Sequence, residues 1–81
     1  MFVLINVFSS EGGAPYIASI QKFNTITIAQ KTMELKSKAA YETWEKSDIT
    51  NENTKPWYES DSHSAHVIGY DYHDLREIKE I

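Results

Sequence analysis

The 81 residues include no cysteine. This excludes a disulfide framework, a thiolate zinc site and a cysteine nucleophile together. It also fits a cytoplasmic location. Glycine is scarce, and its adjacent pair, Gly12-Gly13, lacks the longer spacing and the following Lys of a phosphate loop. A turn is the default reading there. No apolar run approaches the roughly 20 residues of a membrane span, so no membrane association is expected. Met1-Phe2-Val3-Leu4-Ile5 has no basic flank and no small-residue cleavage site after it, so it does not read as a signal peptide. Clustered Lys and Arg are also missing. Residues 1–46 carry five Lys against four Glu, and residues 47–81 carry three cations against eight acids. The acidic second half argues against phosphate binding, and therefore against nucleic acid. It permits a basic protein surface as partner. Simple solubility is the plainer reading of the same charges.

What remains is an ordinary globular composition, 41% apolar and 25% charged, in a chain long enough for one modest core. One domain, 1–81, is expected. Phe2 to Phe8 reads as a strand, β-branched and aromatic. Val3, Ile5 and Val7 occupy one face; Phe2, Leu4 and Phe8 occupy the other, interrupted by Asn6. A strand apolar on both sides is usually covered on both. A turn through Ser9–Pro15 leads to a second strand, Tyr16–Lys22, and together they suggest an antiparallel hairpin.

The clearest element is a helix from Ile26 to Lys46, rich in Ala, Lys, Glu, Met and Leu. Asn24 or Thr25 is placed to cap it. At 100° per residue, Ile26, Ala29, Met33, Ser37, Ala40, Tyr41 and Trp44 share one face. Glu34–Lys38 and Glu42–Lys46 have the favourable i,i+4 order. The helix is expected to lay Met33, Ala40 and Trp44 on Val3, Ile5 and Val7. A narrower stripe, Ile28, Leu35 and Ala39, lies elsewhere on the helix. It is read either as covered by the C-terminal tail, or scattered on the surface, or as a secondary contact to another subunit or partner.

Residues 47–64 form a long polar stretch, expected to be a loop, with Trp57 and Tyr58 in its middle. Trp57 is either a lid over the core or a binding anchor. In the second reading Trp57, Tyr58, Glu59 and Asp61 form a partner-binding site, an aromatic anchor in an acidic rim that Asp48 and Glu52 complete. Its partner would be a protein with an apolar pocket edged by Lys or Arg. Ala65–Tyr72 reads as a third strand, and residues 74–81 as a short helix or a continued strand. The sum is an α+β fold: a three-stranded, mostly antiparallel sheet in the order of elements β-β-α-β, with one long helix on one face. With the helix over Val3, Ile5 and Val7, the residues Phe2, Leu4, Phe8, Tyr70 and Tyr72 would be left as an apolar patch suited to a homodimer.

Chemistry is thinly represented. Asp61, His63, His66, Asp71, His73 and Asp74 fall close in sequence, and such groups ligate zinc or manganese. Their spacing matches no zinc pattern, and in one regular strand His66 and His73 would face opposite sides. No Gly-x-Ser-x-Gly occurs, and a two-layer domain of this size leaves room only for a shallow pocket. No catalytic residue, metal ligand or cofactor is assigned. A short strand pair, Phe23-Asn24-Thr25 entering a helix with Ala29 and a Trp44-Glu45 end, then a late Tyr-rich strand: in these features residues 1–46 above all resemble the small β-β-α-β proteins that bacteriophages encode. Several of those inhibit host enzymes or defence complexes, the anti-CRISPR proteins among them. The resemblance implies an inhibitor or regulator in the host cytoplasm that covers a surface, and no catalytic residues. The expectation is a non-catalytic protein-binding module. The alternatives are a self-associating accessory protein and a small metal-dependent enzyme.

Overall fold

The computed structural model describes residues 1–10, 13–46, 56–69 and 72–81. The elements run β1 (Phe2–Ser10), β2 (Tyr16–Phe23), α1 (Ile26–Glu45), β3 (Trp57–Ser60), β4 (Ser64–Ile68) and β5 (Tyr72–Glu80). The fold is α+β. One helix lies on one face of a five-stranded antiparallel sheet of order β2-β1-β5-β4-β3.

Three strands were expected and five form, because the second half of the chain is more extended than its composition suggests. The expected loop contains β3. The expected strand over Ala65–Tyr72 ends at Ile68, where Gly69 N–H donates to the Tyr72 carbonyl and the chain reverses. The terminal segment is β5, a strand and not a helix. A second tight turn joins β3 to β4: the Asp61 carboxylate accepts from the backbone N–H groups of His63 and Ser64, each at 2.8 Å. These bonds hold its carboxyl below the ordinary carboxylate value. Glu11, Gly12, residues 47–55, with Asp48 and Glu52, and Tyr70 and Asp71 lie outside the described residues.

The helix behaves as its period requires. Thr25 caps it, its Oγ1 accepting from the Ile28 N–H. Ala29, Met33 and Ser37 are buried, and Ile26, Ala40, Tyr41 and Trp44 are half-buried beside them. On the solvent side Lys38 reaches Glu34 at 2.7 Å.

The covered sheet face is the opposite of the expected one. Met33 and Ala29 pack on Leu4, Ala65 and Ile78, with Phe2, Phe23, Ile26 and Tyr58 around them. Leu4 is 2% exposed and Tyr72 8%. Trp44 stacks on Tyr72 with ring centres 3.9 Å apart, and Phe8 stacks on Tyr72 from farther off, at 6.5 Å. Phe2, Leu4, Phe8 and Tyr72 are therefore beneath or beside the helix, and their expected role as an open self-association patch is corrected. The cause is Asn6. It weakened this face in the sequence, yet its amide donates to Asp74 Oδ1 at 2.8 Å and to the Leu75 carbonyl at 3.1 Å. A polar group so satisfied can be buried at little cost. Arg76 lies next to Asp74, Nε to Oδ1 at 3.5 Å. This cluster puts polar side chains on the buried face of β5, where the alternation that marks a strand is hidden. Burial, with Asp74 nearby, pushes the Tyr72 hydroxyl up to about 12.

Candidate functional site

With α1 over the Leu4 face, the other face of the sheet has no described element above it. Cross-strand partners share a face, so its content follows from the register. Successive rows read Lys22–Val3–Lys79, Ile20–Ile5–Glu77–Ser64, Ile17–Val7–Leu75–His66–Glu59 and Ser9–His73–Ile68–Trp57. The middle of this open face is apolar. Ile17 and Ile20, three apart, would face opposite ways in a regular strand. A bulge in the β1–β2 pairing, between Asn6 and Val7, lets β2 run one residue ahead and brings both to the open face. Ile17 is 59% exposed, Ile20 56% and Trp57 55%. Ile5 and Val7, with Glu77 and Lys79, line a shallow hollow of about 210 Å³.

The residues expected to bind a partner are divided by the strand they sit on. Trp57 and Glu59 are on the open face. Tyr58 points the other way: half-buried, it meets the Tyr41 ring edge-on at 6.2 Å. Asp61 is committed to its turn. Trp57 is no lid over the helix-side core. Ile28, Leu35 and Ala39 are all exposed on the helix, and the segment expected to cover them is β5, inside the sheet.

The histidines also differ from expectation. His66 and His73 belong to different strands, and the reversal at Gly69 puts both on the open face with ring centres 5.3 Å apart. Partial burial and the neighbouring His73 lower the His66 pKa, against the opposing pull of Glu59 and Asp74. Among the described residues, no three of His, Asp or Glu gather to hold a metal ion. The Ser62 hydroxyl lies 2.8 Å from His63 Nδ1, a contact the sequence reading did not foresee. It is exposed, and the adjacent Asp61 carboxylate binds backbone and does not orient the ring. A cleft of about 550 Å³ separates α1 from β3 and is lined by Gln30, Met33, Glu34, Lys38, Tyr58 and the turn at Asp61 and Ser62. Its three charged groups are already engaged: Lys38 holds the Glu34 carboxyl below its ordinary value, and the Asp61 carboxylate is bonded within its own turn.

Compared with protein-family models, curated proteins and solved structures, the chain matches none. Among the described residues no helix is long and apolar enough to cross a membrane. The feature with most to offer a ligand is then the open face. It is broad and apolar, it has a large aromatic at one margin, and it is suited to a second surface more than to a small molecule.

Proposed function

We propose that the protein is a non-catalytic protein-binding module whose contact surface is the open sheet face, anchored by Trp57. The observation behind this reading is that Trp57 and Ile17, exposed, and Ile68, Leu75 and Val7, half-buried, lie on one face that no described element covers, while the opposite face has its helix. A monomer seldom leaves such a continuous apolar surface in water. Trp is the residue type most often found as an interface hot spot. Glu59 stands two residues along on the same face, in the acid-rich half of the chain. The matching partner has an apolar pocket edged by Lys or Arg. The resemblance to phage-encoded inhibitors supports an inhibitor or regulator of a host protein complex, acting in the host cytoplasm.

The test is comparative capture from bacterial lysate on immobilised protein. A protein retained by the wild type should be lost with Trp57→Ala, which removes about 2 kcal/mol or more at a hot spot, and with Leu75→Asp. It should be retained by Leu35→Asp, on the far side of the helix. Melting temperature should change little for Trp57→Ala. Capture that survives Trp57→Ala, or that fails only with Leu35→Asp, refutes the assignment of the surface.

A further inference from the structure

The sheet has two edges, and they are guarded unequally. β3 is short, four residues, is entered through Pro56 and carries Glu59. Shortness, proline and charge are the usual devices that stop an edge from pairing with another chain. β2 has eight residues, no proline and a single charge, Lys22. Its residues from Tyr16 to Ile20 are all exposed. β1 pairs with one side of β2, and no described strand pairs with the other. The bulge shortens the regular part of β2 to Ser19–Phe23. That still leaves a regular run of five residues, whose alternate residues direct N–H and C=O groups away from β1.

We propose that a second copy of this chain adds to this edge, β2 against β2 and antiparallel, about a two-fold axis normal to the sheet. Charge selects the occupant. The acids are concentrated in residues 47–81, which supply β3, β4 and β5. Joining two copies at β3 would bring those halves together. Joining them at β2 brings together the halves that carry five Lys against four Glu and leaves the acidic halves at the far ends. The run also fits itself. Centred on Gln21, antiparallel pairing sets Ile20 opposite Lys22 of the other copy and Ser19 opposite Phe23. Among the strand residues no like charges then face each other, and each pair lies on one side of the sheet; the Lys36 ammonium, which donates to Gln21 Oε1, is the cation nearest the axis. The contact is isologous, so it closes at two copies, and the guarded β3 edges prevent extension into a fibre. The product is a ten-stranded sheet with both helices on one side. On the other side the two open faces join, with Ile20 and Lys22 of each copy at the seam. The dimer does not depend on the partner reading: self-association can fail while capture through Trp57 stands, and the reverse.

Native mass spectrometry and sedimentation across a concentration series test this on the full chain. The wild type should form dimers and nothing larger. Ile20→Lys places two Lys opposite each other and should weaken the dimer at least tenfold, with an unchanged far-UV circular dichroism spectrum. Trp57→Lys, at the other edge, should leave the dimer intact. In a chain without native cysteine, Gln21→Cys should be joined to a second copy by a short bismaleimide, and Trp57→Cys should not. A wild type that stays monomeric throughout overturns the proposal, as does a dimer abolished by Trp57→Lys and not by Ile20→Lys. Larger assemblies overturn it too.

Discussion

Gly69→Ala is a one-methyl change whose effect can be worked out from the turn between β4 and β5. A Cβ built on Gly69 would fall within the Tyr72 ring. The backbone angle of Gly69 makes no demand for glycine; the demand is for space. Separations below about 3.5 Å between carbons are repulsive, so the ring must move or the turn must open. The ring is not free to move. It is 8% exposed, and Trp44 stacks on it at 3.9 Å. Losing an aromatic stack is worth about 1 kcal/mol, and forced overpacking adds about 1–3 kcal/mol. The expected destabilisation is therefore about 2–4 kcal/mol, set against a total of roughly 4–12 kcal/mol for a domain of this size. Urea unfolding followed by tryptophan fluorescence measures it, and Trp44 in the stack makes the signal report on the site. The decisive comparison is in a Tyr72→Ala background, where the three atoms nearest the added methyl are gone and the substitution should cost less than about 0.5 kcal/mol. An equal cost in both backgrounds would refute the reasoning, because the penalty would then come from the turn and not from the ring.

Two further outcomes follow from the buried and half-buried polar groups. Asn6→Ala leaves the Asp74 carboxylate without its amide partner at 6% exposure and should destabilise by about 1–3 kcal/mol in urea melts, more than Ser9→Ala in the same strand. His66 has a folded-state pKa below its ordinary 6.5, so the unfolded chain takes up the proton first. Its contribution to stability is present above pH 6.5 and declines as the pH falls from there through the folded value. The urea midpoint should drop over that window in the wild type and drop less in His66→Leu.

How much of this molecule could be read from its residues depended on the element. The helix was legible because its stripe repeats at 3.6 residues over twenty positions and its cap is a single short motif at Thr25. β1 and its hairpin were legible as continuous β-branched and aromatic runs. The rest of the sheet was not, for three separate reasons. β3 is four residues, too short for a period to show. β5 buries Asp74 beside Tyr72 and Ile78, so its alternation is not one of apolar with polar. The separation of His66 from His73 in sequence says nothing about facing once a turn at Gly69 puts them on two strands. The sidedness of β1 was lost on one residue. Asn6 looked like a flaw in an apolar face, and its amide is what ties that face to β5. The candidate site was half visible: Trp57 and Glu59 were singled out from the sequence, but the open face that they border belongs to residues expected to be core.

The pairing of β1 with β5 also bears on how the chain folds. These two strands lie at the centre of the sheet, and they come from opposite ends of the sequence, Phe2 opposite Glu80 and Ser10 opposite Tyr72. Contacts so far apart in the chain carry the largest loop-closure entropy and form slowly. During synthesis the β1–β2 hairpin and α1 emerge first, and the inner edge of β1 stays unpaired until residues 72–80 follow. Leu4 then waits for Ile78, and Asn6 for Asp74. The acid-rich second half gives this interval some protection, since like charge keeps unfinished chains apart. A fragment ending at Glu45 would have both edges of a two-stranded sheet open and no centre, and should aggregate where the whole chain folds.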